Sequence, residues 1–219
     1  MHFPFAKEEL LMISGPSGQL QAALHQGDES GIFASKNWLA ILCHPHPVHG
    51  GTMDNKVVTT LMRTYRDQGI HVLRFNFRGV GKSDGVFDNA IGELDDLRAM
   101  VVWVQQNLPE AGMLLAGFSF GSSIAARISY EVPELRHLTL VAPPIERYLY
   151  ARDNHFPCAT CVIQGDRDER VVAQGVYDWS AALQGEVELL RYLEAGHFFH
   201  GFLTALKADL SQILQRQLQ

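Results

Sequence analysis

Short, nearly uninterrupted runs of apolar residues recur along the chain, separated by segments in which apolar residues repeat at helical spacing. The runs occupy residues 38–43, 72–75, 113–116, 138–141, 160–163 and 187–193. Strands that are buried on both faces have this continuous apolar pattern, whereas a strand with one solvent-exposed face alternates apolar and polar residues. The pattern therefore predicts a mostly parallel central sheet.

Two segments between or after these runs carry an apolar stripe with a period near 3.6 residues, which is typical of helices packed on one face. The stripes are Leu94, Leu97, Val101, Val104 and Leu108, and Leu203, Leu206, Leu210, Ile213 and Leu214. Strands that alternate with helices indicate an α/β fold, doubly wound, with helices on both faces of the sheet.

Before the first of these runs, residues 10–14 and 20–26 flank the turn-forming sequence Gly15-Pro16-Ser17-Gly18. We predict an antiparallel N-terminal hairpin at one edge of the sheet. Residues 142–159, between the fourth and fifth runs, are too few for more than a short helix, so no lid domain is expected. No internal repeat or linker interrupts the pattern, which favours a single domain over residues 1–219.

Composition restricts the partners and the compartment. The chain of 219 residues is 47% hydrophobic, has a net charge of −6 and contains no basic stretch, which argues against a nucleic-acid partner. No apolar run approaches the roughly 20 residues of a membrane span, and residues 1–9 lack the pattern of a signal peptide. Three cysteines, two of them in apolar runs, favour reduced thiols and a cytoplasmic protein.

The sequence Gly117-Phe118-Ser119-Phe120-Gly121 follows an apolar run directly and precedes a predicted helix over residues 122–128. A sharp strand-to-helix turn raises a serine hydroxyl clear of the backbone and holds it in strained φ/ψ angles. A Cβ atom at Gly117 or Gly121 would collide across such a turn. Ser119 is therefore the candidate nucleophile, and an ordinary turn serine is the alternative.

Two later loops each follow a strand-like run and supply an acid and a histidine. Asp166 and Asp168 follow the run at 160–163, and His197 follows the run at 187–193 and is expected to open the last helix. His200, a turn further along, is the weaker candidate for the base. Serine, acid and histidine in this order, each at a strand end, indicate a catalytic triad.

With these motifs, the sequence resembles the α/β-hydrolase superfamily over nearly its whole length, and in particular the small lidless bacterial serine hydrolases related to dienelactone hydrolase. The matching motifs are His44-Pro45-His46-Pro47 with Gly50-Gly51 and Asn55, the Arg78 to Gly85 loop, and Gly165, Asp168 and Val171. The resemblance implies that Asp168 rather than Asp166 is the acid. Dienelactone hydrolase itself uses a cysteine where Ser119 lies here.

The chemistry and the resemblance together imply an oxyanion hole, in which backbone N–H groups stabilise developing negative charge. One donor is expected to be Phe120, which follows the nucleophile, and the resemblance places the second at His46. We expect a shallow, aromatic-rimmed mouth lined by Val48, His49, Phe120, Tyr148 and Phe198.

The sequence thus predicts a serine hydrolase that acts on a small ester or thioester and needs no cofactor. A serine peptidase or acyltransferase with the same triad, and a non-catalytic binding protein on this fold, remain as alternatives. The sequence predicts neither the natural substrate nor the oligomeric state.

Other motifs favour structural roles. His44, His46 and His49 could form a metal site, but two prolines stiffen their loop and only Asp54 lies nearby, so we expect histidines that shape the oxyanion loop and no metal. Cys158 and Cys161 run into a strand, unlike a redox dithiol. Gly81-Lys82-Ser83 lacks the first glycine of a P-loop. Glu93, Asp95 and Asp96 are expected to favour the start of a helix through its dipole.

Overall fold

The structure, a computed structural model, describes residues 4–219. Within that range the strands are β1 (Glu8–Gly15), β2 (Gly18–His25), β3 (Trp38–Cys43), β4 (His71–Phe75), β5 (Gly112–Phe118), β6 (His137–Val141), β7 (Thr160–Gly165) and β8 (Val187–Tyr192). The helices are α1 (Lys56–Asp67), α2 (Gly92–Asn107), α3 (Phe120–Ile128), α4 (Ala173–Ala182) and α5 (Leu203–Gln217).

All eight of these strands form one sheet in the order β1-β2-β4-β3-β5-β6-β7-β8. The strands β3 to β8 pair in parallel, while β1 pairs with β2 and β2 with β4 in the antiparallel direction. The predicted fold class, a doubly wound and mostly parallel sheet with an N-terminal hairpin, is confirmed. Residues 142–159 contain turns and isolated bridges but no helix, which agrees with the absence of a lid.

Helices α1 and α4 were not among the predicted helices. Helix α1 begins after Asn55, whose side chain accepts a hydrogen bond from the Val57 N–H, and it buries an apolar stripe that includes Leu61 and Tyr65. That cap and stripe are visible in the sequence, so the helix was predictable. Helix α4 buries only Val176, Tyr177 and Ser180, which is a much weaker signal.

Alternation along the central strands divides the core into two layers. In β3, Leu39 and Ile41 pack in the cluster that α2 and α3 cover, while Ala40 and Leu42 pack in the cluster that α1 and α5 cover. Successive side chains of a strand point to opposite faces, so both faces must be apolar when both are covered. The continuous apolar runs of the sequence are the direct result.

The sheet has a topological switch point at β3. The chain leaves β3 to form β4 on one side and returns to form β5 on the other side. The loops that follow β3 and β5 therefore diverge and leave a crevice at the carboxyl ends of these two strands, where ligands of open α/β sheets bind. The crevice lies between the loop that begins at His44 and the turn at Ser119.

The loop after β4 is held by a buried ion pair. Asp96, which is fully buried in α2, accepts hydrogen bonds from the Arg78 N–H at 2.9 Å and from the Arg78 guanidinium at 2.8 Å. Glu93 is also buried and accepts from the N–H groups of Asp88 and Ala90. Glu93 and Asp95 lie in the first turn of α2, as predicted. The carboxylates of Glu93 and Asp96 have a further role, because both bind the preceding loop directly.

Within residues 4–219, no helix is both long enough and apolar enough to cross a membrane. The expectation about the N-terminus concerns residues 1–9, of which residues 1–3 lie outside the described part of the chain.

Two buried histidines make the free energy of unfolding depend on pH. Burial lowers the pKa of His44 and of His137 to about 4. Since the pKa of a histidine in the unfolded chain is about 6.5, the unfolded state binds protons first as the pH falls. The free energy of unfolding should therefore be at its maximum above pH 6.5 and fall between pH 6.5 and 4.5 by roughly 2–3 kcal/mol for each of these histidines.

Urea unfolding at pH 7.5, 5.5 and 4.5 measures this loss. His137→Gln removes one of the titrating groups and keeps a side chain that can bond to Gln217, the present partner of His137 Nε2 at 2.8 Å. This variant should show a shallower pH dependence than the unsubstituted protein. A free energy of unfolding that stays constant over this range would contradict the assignment.

Candidate active site

Ser119 lies at the turn between β5 and α3, with φ 53° and ψ −121°. A positive φ with a strongly negative ψ lies outside the basins that a residue with a Cβ atom prefers, and such a conformation costs about 1–3 kcal/mol. The Ser119 N–H donates to the Val141 carbonyl at 2.8 Å, which ties the turn to the end of β6. The serine is thus held in the strained turn that the sequence predicts.

Glycines allow the close approach on which this turn depends. A Cβ atom at Gly117 would lie 2.3 Å from the Gly121 carbonyl oxygen, which is the collision expected across the turn. A Cβ atom at Gly121 would instead lie 2.4 Å from the carbonyl oxygen of Cys43. Gly121 therefore lets α3 begin directly against the end of β3, which the sequence did not reveal.

A chain of hydrogen bonds links the acid, the histidine and the serine. His197 Nδ1 donates to Asp168 Oδ2 at 2.8 Å, and His197 Nε2 lies 3.0 Å from Ser119 Oγ. Because the carboxylate holds the proton on Nδ1, the lone pair of Nε2 faces the serine hydroxyl, which donates to it. The Asp168 side chain is fully buried and the His197 side chain is only 3% exposed.

Asp168 is held by several donors. Its Oδ1 accepts from the N–H groups of Arg170 at 2.8 Å and Val171 at 2.9 Å, and its Oδ2 also accepts from Gln164 Nε2 at 3.1 Å. Burial by itself would raise the pKa of Asp168, but the hydrogen bonds from His197 and from the two amides outweigh burial and lower it. The carboxyl group is therefore ionised.

Asp166, the other candidate acid, points elsewhere. It accepts hydrogen bonds from Tyr177 Oη and from the Arg191 guanidinium, the latter at 2.9 Å. The hydrogen bond from Arg191, followed by that from Tyr177, lowers the pKa of Asp166. The structure thus brings Asp168, and not Asp166, to the histidine.

His197 lies in the loop after β8, six residues before α5 begins at Leu203. The expectation that it opens the last helix is wrong, because turns over residues 198–202 separate it from the helix. His200 is exposed and contacts the ring of Phe198, with 5.9 Å between centroids. His197 is therefore the histidine that reaches Ser119.

The backbone N–H groups of Phe120 and His46 are both without a backbone acceptor in the described part of the chain. Phe120 is the first residue of α3, so its N–H has no carbonyl partner within the helix. In the loop after β3, Pro45 and Pro47 lack an N–H group, and the N–H groups of residues 48–51 donate to acceptors on His46 and Pro47. Among residues 45–51, the His46 N–H is the one with no acceptor in the described part of the chain.

The loop histidines have structural partners. His44 is fully buried, donates from Nδ1 to the Pro45 carbonyl at 2.6 Å and accepts from the Phe77 N–H at 3.0 Å on Nε2. His46 Nδ1 accepts from the Val48 N–H at 3.2 Å, and the rings of His46 and His49 are in contact. In residues 4–219 no group of three histidine, cysteine or carboxylate side chains is arranged to hold a metal ion.

The buried hydroxyl groups of Ser122 and Tyr150 hold the turn at Ser119 in place. Ser122 Oγ donates to the Ser119 carbonyl at 2.5 Å and accepts from Tyr150 Oη at 2.8 Å. Tyr150 belongs to the segment 142–159 and is only 5% exposed. The short segment that stands where a lid would be inserted therefore fastens the turn, a contact that sequence spacing gives no means to predict.

Aromatic side chains surround Ser119 on two sides. On one side the Phe120 ring contacts those of His46, Phe87 and Tyr148 at centroid distances of 5.1, 5.9 and 5.6 Å. Phe120 itself is only 1% exposed, so its expected place at the rim is wrong, and its ring is the base on which the partly exposed rings pack. Phe87 was not among the predicted mouth residues.

The other predicted mouth residues lie at different depths. On the second side, the partly exposed Phe198 contacts His197 and Phe118, with 5.2 and 5.9 Å between ring centroids. Val48 is 64% exposed, and His49 is exposed beside His46. The mouth is thus flanked by partly exposed aromatic rings on both sides of the histidine and the serine.

Comparisons with known proteins identify relatives of this chain. Residues 46–154, which include Ser119, match the model of the family described as serine aminopeptidase, S33. An uncharacterised protein of Rickettsia prowazekii is 38% identical over 172 residues, which cover 77% of this chain and 70% of that protein.

Two solved structures resemble the whole chain. An α/β serine hydrolase homologue from Coxiella burnetii is 40% identical, with a TM-score of 0.88 over 94% of this chain and 97% of its own. A member of the α/β serine hydrolases without a lid, from Xanthomonas campestris, is 39% identical, with a TM-score of 0.88 over 99% of this chain and 97% of its own. With the parallel sheet, the strained serine turn and these relatives in agreement, the chain belongs to the α/β-hydrolase superfamily and is similar to its lidless serine hydrolases.

Proposed function

We propose that this protein is a serine hydrolase that cleaves small carboxylic esters or thioesters through an acyl-serine intermediate. The observation that carries the proposal is the chain of hydrogen bonds from Asp168 through His197 to Ser119, at 2.8 and 3.0 Å. A neutral imidazole in this tautomer can accept the hydroxyl proton while the serine attacks a carbonyl carbon.

In the first half-reaction, Ser119 Oγ forms a bond to the carbonyl carbon and its proton moves to His197 Nε2. The carbonyl electron pair shifts onto oxygen, and the N–H groups of Phe120 and His46 are the proposed donors to that oxyanion. When the tetrahedral intermediate collapses, the alcohol or thiol leaves with the proton from His197 Nε2 and the acyl group stays on Ser119.

In the second half-reaction, a water molecule takes the place of the alcohol. His197 Nε2 accepts a proton from the water as its oxygen attacks the acyl carbon. It returns that proton to Ser119 Oγ as the bond between Oγ and the acyl carbon breaks and the carboxylic acid leaves. Asp168 keeps Nδ1–H in place and stabilises the imidazolium in both halves. Every proton and electron pair comes from substrate, water and these side chains, so no cofactor is part of the proposal.

The mouth favours short or flat acyl groups. Residues 142–159 form no helix over Ser119, and Tyr150 in this segment is turned inward to Ser122. The partly exposed rings of His46, Phe87, Tyr148 and Phe198 offer flat surfaces at the mouth. We therefore propose a small-molecule substrate whose acyl group rests against these rings.

A peptidase is the second candidate, and the description of the matching family as serine aminopeptidase favours it. The same triad can protonate a leaving amine from His197 Nε2. Aminoacyl p-nitroanilides therefore belong in the substrate panel beside esters and thioesters. Faster turnover of the anilides than of every ester would replace the esterase proposal with this one.

We also propose that residues 1–219 act as one domain in a reducing, cytoplasmic compartment. Cys43, Cys158 and Cys161 are free, and Cys43 and Cys161 are fully buried. Burial raises the pKa of Cys158 to about 12 and raises those of the other two further still, so all three are inert thiols near neutral pH.

Ser119→Ala should leave the fold intact and lower turnover of p-nitrophenyl acetate by roughly 10⁴- to 10⁶-fold, the loss that follows removal of a triad nucleophile. A fluorophosphonate probe should label the unsubstituted protein and not this variant. Ser123→Ala is a matched control, because Ser123 is buried in α3 and donates to the Phe120 carbonyl. A Ser119→Ala protein with a tenth of the original activity would refute the acyl-serine.

Asp168→Asn and Asp166→Asn should separate the two acids of this loop. Loss of the carboxylate that holds Nδ1–H leaves the imidazole in the wrong tautomer and should lower kcat by about 10⁴-fold. Asp166→Asn weakens the contacts to Tyr177 and Arg191, so it should lower the midpoint of thermal unfolding while kcat changes by less than about tenfold. The opposite ranking of the two kcat values would overturn the assignment.

The acyl-length preference follows from the open mouth. Each buried CH₂ group contributes about 0.8 kcal/mol, or roughly fourfold in binding, while there is depth to bury it. The kcat/KM values of p-nitrophenyl esters should peak at acyl chains of about two to six carbons and decline beyond, since a longer chain extends into water. A maximum at about twelve carbons or more would show a deeper acyl site than the one proposed.

A further inference from the structure

Two consecutive carboxylates hold the same histidine at different atoms. Asp168 Oδ2 accepts from the ring of His197, whereas Glu169 Oε2 accepts from the backbone N–H of His197 at 3.1 Å. The ring bond fixes the rotation of the imidazole, and the backbone bond fixes the position from which the side chain extends. Only the first of these contacts belongs to the triad.

The loops that carry these residues run close beside each other. The Arg167 N–H donates to the Ala195 carbonyl at 3.0 Å, and a Cβ atom at Gly165 would lie 2.3 Å from that same oxygen. A Cβ atom at Gly196 would lie 3.1 Å from Glu169 Oε2, which is tighter than an ordinary contact. A glycine before His197 therefore leaves room for the Glu169 carboxylate.

A positively charged side chain, that of the neighbouring Arg170, lies close to the Glu169 carboxylate. The hydrogen bond from the His197 N–H is the largest cause that lowers the pKa of Glu169, so its carboxyl group is ionised near neutral pH. Glu169 Oε1 lies 3.8 Å from Arg170 Nε, and the Arg170 guanidinium covers the Phe198 ring at 5.2 Å.

The other elements packed around His197 add few charges. Arg167 and Glu194 form an exposed ion pair with 2.5 Å between nitrogen and oxygen. On the side of β5, the ring that contacts His197 is that of Phe118, and beyond Phe198 lies the exposed ring of His200. The carboxylates in direct contact with His197 are thus those of Asp168 and Glu169.

We propose that Glu169 is a positioning residue for the reaction, in that its carboxylate holds the backbone of His197 in register with Ser119 and adds negative charge beside the imidazolium. The inference rests on the proposed function, because it requires His197 to carry the proton. Glu169 touches neither the acyl group nor the leaving group.

The hydrogen bond from the His197 N–H to Glu169 and the negative charge of Glu169 should affect the reaction in two different ways. Without an acceptor for its N–H, the His197 loop can shift, and small displacements of a catalytic base lower kcat. Without the negative charge, the imidazolium is less stable, so the acid limb of the pH profile moves to lower pH. Glutamine retains an acceptor oxygen and removes the charge, whereas alanine removes both.

The test compares Glu169→Ala and Glu169→Gln, with Glu194→Gln as the control that neutralises an exposed carboxylate in the His197 loop without contact to His197. The measurements are kcat and KM for p-nitrophenyl acetate and the rate of fluorophosphonate labelling, each from pH 5 to 9. Urea unfolding of each variant checks that the fold is unchanged.

Glu169→Ala should lower kcat and the labelling rate by about tenfold at nearly constant KM, and Glu169→Gln should restore most of that loss. In both variants the acid limb should move down by about half a pH unit, while Glu194→Gln should resemble the unsubstituted protein. A purely structural role for Glu169 would lower the free energy of unfolding and leave the pH limb in place.

The inference is overturned if Glu169→Ala keeps its full rate, if glutamine restores nothing, or if neither variant moves the pH limb. Ser119→Ala, measured in the same series, separates this failure from that of the proposed function. An inactive Ser119→Ala beside a fully active Glu169→Ala refutes the role of Glu169 alone. An active Ser119→Ala refutes both.

Discussion

The structure around Ser119 depends on a steric constraint, the contact between the start of α3 and the end of β3. Gly121 brings α3 so close that a Cβ atom would lie 2.4 Å from the Cys43 carbonyl oxygen. Because of this approach, the Phe120 amide and the loop of His46 share the crevice at the switch point of the sheet. Any side chain at position 121 would push the helix and the loop apart, and the N–H groups of Phe120 and His46 would move with them.

Strain at Ser119 persists because its neighbours hold it from several directions. The N–H of Ser119 is bound by the Val141 carbonyl, and its own carbonyl accepts from Ser122, which Tyr150 holds in turn. A conformation that costs about 1–3 kcal/mol is stable only where surrounding contacts determine it. The segment 142–159 thus takes part in the fold of the site, although it forms no helix over it.

The sequence predicted the sheet, the serine turn and the order of the functional loops, because each of these depends on local pattern. Buried strands require continuous apolar runs, and the turn at Ser119 requires Gly117. The choice between Asp166 and Asp168 was beyond local pattern, since it depends on which carboxylate the Tyr177 hydroxyl and the Arg191 guanidinium bind. The burial of Phe120 likewise depends on rings from distant loops, so no spacing rule could reveal it.

The acid loop combines two requirements that conflict in most proteins. A carboxylate that orients an imidazole must be buried for precise geometry, yet burial alone favours its neutral form. Asp168 satisfies both because His197 Nδ1 and the Arg170 and Val171 N–H groups donate to it and lower its pKa, and Gln164 Nε2 is a further donor. While its Nε2 donates to Asp168, Gln164 has a buried Oε1 with no hydrogen-bond partner among the described residues. An unpaired buried carbonyl costs about 1–3 kcal/mol. The opposite orientation of the amide would be worse, because it would direct that oxygen at the carboxylate and place two acceptor oxygens in contact with no hydrogen between them.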